Sequence, residues 1–317
     1  MANEQPTLFN QEADEAQKAA PVARLSPVTP RTSLAAATTA FREHMQRKEF
    51  SQYTVKAFLG DLRLLQRYLS AATPVGDINT RDLEQFLDWL VNDRGVPCNP
   101  KSLARRLTTL KVFFGWLTES EVLEHDPAAP IAHKPTRPPL PEILFDDEVE
   151  RLLSVTRDNL FGQNPDARPY VLISLILQTG IKKGECVNIK LTDIDMENPR
   201  QPSVFIRYEN PRWRHKERRL YLSPNLMPAL KQYLREYDPR TRLFECTARN
   251  LEYVLEDAGK AAGLKKKVSF EMLRWTAAVR DYRLGMPPEQ LRRKLGLSRV
   301  TWAQTEERIK KLAAPPL

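Results

Sequence analysis

The chain has 317 residues, with 49 Lys and Arg against 40 Asp and Glu, which gives a formal net charge of +9. Its length and its 41% hydrophobic content predict about two domains with real cores, and the positive charge favours a polyanionic partner. The three cysteines are an odd number without metal-ligand spacing, which argues against a disulfide-rich class and a zinc site. There is no apolar run of roughly 20 residues and no basic region followed by an apolar core at the N-terminus, which argues against the membrane and secreted classes. A cytoplasmic protein is therefore expected.

The N-terminal part is predicted to be a disordered tail followed by a helical domain. Residues 1–33 are rich in Ala, Gln, Thr and Pro and show no sustained apolar period. Over residues 34–133, apolar side chains recur at helical spacing in four segments, the first of which runs from Ser33 to about Glu49. Residues suited to cap the other three helices are Ser51, Thr80 and Asn99. No strand pattern interrupts this all-α domain.

A proline-dense linker separates this domain from a second one. Residues 134–141 read Lys-Pro-Thr-Arg-Pro-Pro-Leu-Pro, and each proline fixes its own φ and disfavours helix in the residue before it. The second domain, residues 142–317, is expected to open with a helix capped by Asp146. A buried apolar helix then ends at Thr179-Gly180.

The rest of the second domain is predicted to hold one β-hairpin among helices. Residues 204–206 and 220–222 are apolar or aromatic and suit two strands joined by a basic connection. Ser223-Pro224 begins another helix. Further helices are expected near residues 248–262, 270–284 with a stop at Gly285, and twice between 288 and 312. The predicted fold is therefore mainly α with a small β-hairpin or sheet.

The positive charge is concentrated at the C-terminal end. Residues 34–133 carry 12 basic and 12 acidic residues, and residues 134–262 carry 21 and 19. Residues 263–317 carry 13 and 5, a net charge of +8.

Two further basic groups are candidate DNA contacts. In the hairpin connection, Trp213 is surrounded by Arg212, Arg214, Lys216, Arg218 and Arg219. A basic segment with an aromatic residue suits phosphate contacts with the indole packed on sugar or base, although an ordinary solvated hairpin has the same composition. The fourth helix carries a basic stripe that could enter a major groove, although exposed faces of helices commonly have this composition. On or beside this face lie Arg105, Arg106, Thr108 and Lys111.

In order and spacing, residues 33–312 resemble the tyrosine recombinase (phage integrase) family. The first domain is similar to that family's SAM-like, helical core-binding domain, through the segment Tyr53-Thr-Val-Lys-Ala-Phe58 among others. In the second, Thr179-Gly-Ile-Lys-Lys-Gly-Glu185 resembles the box T-G-x-R-x-x-E. Residues 268–275 resemble the H-x-L-R box, and Leu295-Gly-Leu297 resembles the L-G-H box.

The resemblance implies an α+β catalytic-type second domain, a two-domain clamp around duplex DNA and strand transfer without a cofactor. In such enzymes a tyrosine attacks the scissile phosphate, two arginines and a histidine or tryptophan stabilise the charged transition state, and a hairpin lysine protonates the leaving oxygen. The positions that correspond to these roles are occupied by Lys182, Trp213, Glu271, Arg274, Leu297 and Glu306. Only Arg274 keeps the family's residue type.

These departures predict a member that does not cleave DNA. Lys182 keeps a positive charge but loses the planar fork of arginine, and Glu271 places an anion where a phosphate should bind. Glu306 would form an acyl phosphate instead of a stable tyrosyl ester. No tyrosine follows Tyr282 in the sequence, so a shifted alignment supplies no nucleophile.

Other motif residues have structural interpretations. Glu185 and Asp193 are expected to hold the domain together through buried hydrogen bonds, and Lys182 and Glu271 could pair with each other. Arg274 suits either a buried ion pair or a DNA contact. The four histidines share no ligand spacing, so neither a metal site nor a catalytic triad is predicted from His44, His125, His133 and His215.

The leading functional hypothesis is a nucleoid-associated DNA-binding protein that assists or regulates recombination or integration without cleaving DNA. Its partners would be duplex DNA and either an active recombinase or further copies of the chain. Its predicted DNA contacts are Arg105, Arg106, Lys111, Lys182, Arg212, Trp213, Arg214, Lys216, Arg218 and Arg274. Two alternatives remain: an active recombinase that uses Tyr282 or a nucleophile from another chain, and a protein-binding scaffold that has lost DNA binding.

Overall fold

The computed structural model of the protein describes residues 28–133 and 139–314. The chain divides into two compact units, Met1–Pro138 and Pro139–Leu317. Most of the tail predicted over residues 1–33 and most of the predicted linker lie outside the described residues.

The end of the predicted tail is part of the N-terminal unit. Gly76 N donates to Pro30 O at 2.8 Å, Val75 N donates to Thr32 O at 2.9 Å, and Ser33 pairs with Pro74. Val28 packs against the core of this unit. The prediction of a disordered tail is therefore wrong for residues 28–33, because composition alone does not reveal these backbone contacts with a distant turn.

Over residues 28–133 the structure has four α-helices: α1 (Leu34–Arg47), α2 (Gln52–Leu69), α3 (Thr80–Asn92) and α4 (Pro100–Glu119). Ser51 and Asn99 cap α2 and α4 as predicted. For α3 the predicted cap, Thr80, is instead the first helical residue, and Asn79 is the cap. Asn79 accepts from Asp82 N at 3.2 Å and its own N–H donates to Asp82 Oδ2 at 3.0 Å, a reciprocal pair that Thr80 cannot make one residue later.

Over residues 139–314 the structure has eight α-helices: α5 (Asp146–Asp158), α6 (Arg168–Thr179), α7 (Lys183–Val187), α8 (Met227–Tyr237), α9 (Ala248–Ala261), α10 (Phe270–Arg283), α11 (Pro288–Lys294) and α12 (Arg299–Ala313). Between α7 and α8 lies an antiparallel sheet of order β1-β2-β3, formed by β1 (Ile194–Asp195), β2 (Ser203–Ile206) and β3 (Arg218–Tyr221). The prediction of a mainly α fold with a small sheet is confirmed.

Three local predictions in this unit need correction. The helix α5 begins at Asp146, so the cap is Phe145, whose N–H donates to Glu148 Oε2 at 2.8 Å. A 3₁₀ helix over Pro224–Leu226 comes before α8, which therefore starts later than Ser223-Pro224 suggested. The two-residue strand β1 was not predicted, because it is too short to show an alternating pattern.

The core of the C-terminal unit is built around α6, eight of whose twelve residues are buried. A smaller cluster joins α10, α11 and α12 through side chains such as Val279, Leu291, Trp302 and Ile309. In the part of the chain that the structure describes, no helix is both long and apolar enough to cross a membrane.

Candidate functional site

A cavity of about 580 Å³ lies in the C-terminal unit. Four of the residues that occupy family positions line it, and they are Lys182, Glu271, Arg274 and Leu297. The apolar part of its wall is formed by Val268, Phe270, Trp275, Ala278 and Leu295 together with Leu297. Trp213 and Glu306 are not among the described residues that line the cavity. Four of the six family positions thus meet in one cavity, and the other two lie outside its wall.

Arg274 ties together the three segments that form the site. Gly180 ends α6 in the left-handed conformation, with φ +61°. Its carbonyl accepts a hydrogen bond from Arg274 Nη1, and Leu295 O accepts one from Arg274 Nη2 at 2.7 Å. Burial lowers the pKa of Arg274 to about 10, so the guanidinium remains charged at neutral pH. The retained arginine therefore has a structural role as well as a place in the cavity wall.

Glu185 is a buried carboxylate with a dense shell of donors. Its side chain is only 2% exposed, and Arg218 donates to both of its oxygens, at 3.1 and 3.0 Å. Tyr208 Oη also donates to it, as does Lys182 N at 2.8 Å. Burial raises the pKa of Glu185, but the hydrogen bonds and charge of Arg218 outweigh that effect and leave the pKa below its usual value. These contacts fit the structural interpretation of Glu185.

Arg218 was predicted to contact DNA, but its guanidinium is committed to the protein. Its side chain is 10% exposed. Besides Glu185, Arg218 donates to Lys294 O at 2.7 Å and to Lys216 O at 3.1 Å. A buried arginine with this many partners is poorly placed to reach a phosphate.

Lys182 does not form the expected pair with Glu271. Its Nζ donates to Gly296 O at 3.3 Å and lies 4.0 Å from Glu185 Oε1. Burial lowers the pKa of Lys182, and the neighbouring charges of Arg274, Lys216 and Arg218 lower it further against the raising effect of Glu185. Glu271 is exposed. A Lys182–Glu271 ion pair therefore does not close the cavity, because the ammonium group of Lys182 faces the carbonyl of Gly296 and the carboxylate of Glu185.

The basic hairpin connection is folded. Residues Pro211–Lys216 form a 3₁₀ helix, capped by Asn210, which accepts from Arg212 N at 3.0 Å. Trp213 is 44% exposed and packs edge-on against Tyr208, with ring centroids 5.9 Å apart and planes at 82°. Lys216 Nζ lies 5.8 Å from the indole centroid. The predicted contacts Arg212 and Arg214 are exposed.

The basic stripe on α4 is organised by Asp61. Arg105 Nη1 donates to Asp61, Arg106 Nε lies 3.6 Å from Asp61 Oδ1, and Thr109 Oγ1 donates to Oδ2 at 2.8 Å. Burial raises the pKa of Asp61, against the lowering effect of Thr109 and the two arginines. Arg105 is 42% exposed and Arg106 only 12%. Of the two predicted arginine contacts, Arg105 is the accessible one.

Other predicted residues also have protein partners. Lys111 Nζ donates to Ala129 O at 3.0 Å. Asp193, 3% exposed in its side chain, accepts from Arg207 Nε at 2.6 Å. Glu306, on α12, pairs with Lys310 at 2.8 Å. Within residues 28–133 and 139–314, no cluster of three or more His, Cys, Asp or Glu side chains is placed to hold a metal ion.

Sequence reasoning missed several residues of the site. Tyr208, the hydroxyl donor to Glu185, lies outside the quoted motifs and has no local signature. Three further cations line the cavity, and each is paired with a glutamate: Lys183 with Glu252 at 2.7 Å, Arg249 with Glu252 at 3.4 Å, and Lys267 with Glu256 at 2.7 Å. Among described residues, the tyrosine that lines the cavity is Tyr253, whereas Tyr282 packs against the α10–α12 cluster.

Comparison with known proteins places both units in one family. The profile described as the phage integrase family matches residues 142–305, and that of the phage integrase N-terminal SAM-like domain matches residues 39–121. The chain belongs to the phage integrase family. The similarity to tyrosine recombinases and the fold expected from it are thereby confirmed.

Curated relatives of this phage integrase family member are named as recombinases. The tyrosine recombinase of Thermosipho africanus is 27% identical over 256 residues, which cover 78% of this chain and 86% of that protein. The tyrosine recombinase XerD of Listeria innocua is 24% identical over 280 residues, 84% of this chain and 91% of that protein.

Solved structures share the fold. A lambda integrase dimer bound to a COC' core site matches with a TM-score of 0.69 and 14% identity, over 90% of this chain and 80% of that chain. The XerH site-specific recombinase bound to its difH substrate, a pre-cleavage complex, matches with a TM-score of 0.63 and 19% identity, over 88% and 83%.

Within the family fold, the site retains cations and lacks the expected nucleophile. Lys182 and Arg274 line the cavity, with Lys216 and Arg218 close enough to lower the pKa of Lys182. The charge of Glu185 raises the pKa of Lys182, and three further carboxylates line the cavity, which are Glu252, Glu256 and Glu271. Such an arrangement attracts an anion but offers no tyrosine at the position that the motif spacing assigns to the nucleophile.

Proposed function

We propose that this chain binds duplex DNA without cleaving it, and that it assists or regulates recombination or integration as a partner of an active recombinase or of further copies of itself. One observation carries the proposal. The motif spacing assigns the family's nucleophile position to Glu306, which pairs with Lys310, while Arg274 and Lys182 line the cavity. Arg274 and Lys182 provide positive charge that attracts a phosphate, whereas a glutamate stands where a tyrosine would attack the DNA backbone.

The size of the expected defect supports the loss of cleavage. Each missing contact that stabilises the transition state costs about 3 kcal/mol, so three independent losses would raise the barrier by about 9 kcal/mol, roughly a million-fold. Such losses are usually not additive, so this figure sets a scale only. A carboxylate nucleophile would in addition give a hydrolysable acyl phosphate, which cannot store the energy of the broken phosphodiester bond as a tyrosyl ester does.

The DNA-binding half of the proposal is supported by the distribution of charge. Residues 263–317 carry 13 basic and 5 acidic residues. Arg212 and Arg214 are exposed on the hairpin, and Arg105 is held at the surface of α4 by Asp61. Basic groups of this kind contact phosphates and provide affinity that depends on salt. Lambda integrase, which shares the fold, is bound to DNA as a dimer in one solved structure and as a tetramer in another, which agrees with DNA and further copies of the chain as partners.

The second candidate function is an active recombinase, which the names of the curated relatives favour. In that case the tyrosine on the cavity wall, Tyr253, is a better candidate than Tyr282. Tyr253 is 49% exposed, and the guanidinium of Arg249 lies 4.6 Å from its ring centroid. Against this function, Tyr253 lies on α9, before the H-x-L-R box, and not on the C-terminal segment after the L-G-H box, where the resemblance places the nucleophile.

Binding titrations at graded salt test the DNA-binding half. Full-length protein is titrated onto a labelled duplex by gel shift and by anisotropy, with heparin as a competitor. We expect the logarithm of the association constant to fall linearly with the logarithm of the salt concentration, with a slope of about −0.9 for each phosphate contact. A slope near zero, or no binding at low salt, would contradict DNA binding and favour the alternative of a protein-binding scaffold.

A further inference from the structure

The hairpin presents an aromatic ring beside the cationic site. Trp213 stands at the position where the resemblance implies a lysine, and it is 44% exposed at the surface of the 3₁₀ helix Pro211–Lys216. It is held by Tyr208 on one side, with ring centroids 5.9 Å apart, and it has Lys216 Nζ 5.8 Å from its centroid. A large aromatic ring that is fixed in place contacts a ligand with little loss of side-chain freedom.

The ring is linked to the cationic cluster by direct contacts. Tyr208, which packs on Trp213, donates its hydroxyl to Glu185, and Glu185 binds the guanidinium of Arg218. The main-chain N–H of Lys182 also donates to Glu185, at 2.8 Å. Because each link is a side-chain or backbone contact within the C-terminal unit, the indole and the cations keep a fixed spacing. Lys216 and the exposed Arg214 lie on the same 3₁₀ helix as the indole, so a nucleic acid whose phosphate reaches them brings a neighbouring sugar and base toward the ring.

Stacking distinguishes an interrupted duplex from a continuous one. In a continuous duplex each base already stacks on its neighbours, and an aromatic side chain must separate two of them before it can insert. At a single-nucleotide gap, the base in the opposite strand has lost its pairing partner, so it leaves the helix at a lower cost and its faces become available. Aromatic side chains stack on such bases with little regard to sequence, and nearby cations contact the backbone.

We propose that Trp213 stacks on the unpaired base of an interrupted DNA duplex, so that the protein prefers gapped DNA to continuous duplex. This inference rests on the proposed function, because it assigns a preferred form of DNA to the same site. A phosphate next to the gap would lie at Lys216 and Arg214 on the same 3₁₀ helix, and the indole would stack on the base that has lost its pairing partner. The substrate class is thus a duplex with at least one unpaired nucleotide.

The test compares four forms of one duplex: continuous, nicked, with a single-nucleotide gap, and with the same gap opposite an abasic site. Full-length protein is expected to bind the gapped form about tenfold more tightly than the continuous form, a change within the range of one base–aromatic stack. The abasic form should lose this advantage, because it keeps the gap but lacks the base. Equal affinity for the gapped and abasic forms would attribute the preference to DNA flexibility and overturn the proposal.

Variants assign the preference to one ring. Trp213→Ala should bring the ratio of gapped to continuous duplex affinity to about one, whereas Trp213→Phe should keep most of the preference. Phe161→Ala is the matched control, since Phe161 is a 72% exposed aromatic residue after α5 in the same unit, and it should behave as the parent protein. Iodouracil placed opposite the gap should crosslink on irradiation to the peptide that contains Trp213.

The outcomes separate this inference from the proposed function. If all four DNA forms bind equally well and the crosslink maps elsewhere, the stacking proposal fails while DNA binding stands. If no form binds, the proposed function fails as well. Loss of the preference in Phe161→Ala would also overturn the assignment to Trp213.

Discussion

Single residues decide how the cationic site of this protein is held together. Glu185 is the buried anion on which Arg218, Tyr208 and Lys182 converge. Burial raises its pKa, but the hydrogen bonds from these three residues together with the charge of Arg218 leave the pKa below its usual value. Breaking a buried ion pair leaves a charge without compensation, which costs much more than the loss of an exposed pair. Glu185 is therefore expected to be a main determinant of the stability of its unit.

Replacing Glu185 by Gln should lower the free energy of unfolding by about 3 kcal/mol at neutral pH. Because the pKa of Glu185 is lower in the folded protein, its contribution is complete above its usual value of 4.5 and is lost as the pH falls through the folded value. The difference between the parent protein and Glu185→Gln should therefore shrink in acid, as measured by denaturant unfolding at several pH values. A difference that does not change with pH would contradict this role.

The exposed pair between Lys311 and Glu307 supplies the control. Their side chains are 58% and 68% exposed, with 2.6 Å between Lys311 Nζ and Glu307 Oε1. Lys311→Ala should change the free energy of unfolding by less than about 1 kcal/mol.

The two arginines on α4 should differ in their effect on DNA binding. Arg105 is 42% exposed and Arg106 12%, although both lie beside Asp61. Arg105→Ala should reduce the magnitude of the salt slope by about 0.9, the value for one phosphate contact. Arg106→Ala should leave that slope unchanged, and both substitutions should lower the free energy of unfolding, because each removes a positive charge beside the buried Asp61. Equal slopes for both variants and the parent protein would place the DNA contact elsewhere.

At the scale of elements, tight turns decide how closely the segments of the site approach each other. Gly296 follows α11 with φ +60°, and a Cβ atom there would lie 2.6 Å from Arg218 Nη1. Gly180 ends α6 with φ +61°, and a Cβ atom there would lie 2.8 Å from Leu295 Cδ2. The glycines of the two family boxes thus allow the strand β3, the end of α6 and the loop after α11 to meet.

A pair of glycine variants separates steric conflict from backbone strain. Gly296→Ala should lower the free energy of unfolding by roughly 1–2 kcal/mol for the left-handed backbone, with a further loss because Arg218 is displaced from Glu185. Gly263→Ala has the same backbone strain, at φ +65°, but a Cβ atom there meets nothing within 4 Å. Thermal or denaturant unfolding of both variants should show the larger loss for Gly296→Ala. Equal losses would mean that Arg218 adjusts without cost.

The elements that could be predicted from sequence are those with local signals. The caps Ser51 and Asn99 and the stop at Gly180 depend on a few neighbouring residues, and the structure has all three. Asn79 was missed by one position, because Asn79 and Thr80 are both acceptable caps and the choice depends on the reciprocal bond with Asp82.

The candidate site was predictable only as a set of positions. The motif spacing brought Lys182, Glu271, Arg274 and Leu297 to one cavity. The partner of Lys182 and the burial of Arg218 were not predictable, because both depend on contacts between segments far apart in the chain. Tyr208 was invisible for the same reason, since its hydroxyl bond to Glu185 crosses from the hairpin to α7.

At the scale of the whole molecule, positive charge is unevenly distributed between regions. Residues 34–133 carry 12 basic and 12 acidic residues, whereas residues 263–317 carry 13 and 5. The region with the excess contains Arg274 and the position Glu306. An excess of positive charge and a glutamate at the position that the motif spacing assigns to the nucleophile thus fall in the same stretch of sequence, which is the basis for the proposal that the chain holds DNA without cutting it.

The most direct test of that proposal is covalent trapping on suicide-nicked duplexes, in which a cleaved strand loses a short fragment and cannot be religated. The account predicts a retarded complex in a native gel that disappears completely in detergent, with no protein–DNA adduct. Tyr253→Phe and Tyr282→Phe should give the same result as the parent protein. A detergent-resistant adduct, especially one abolished by either substitution, would contradict the account and establish an active strand transferase.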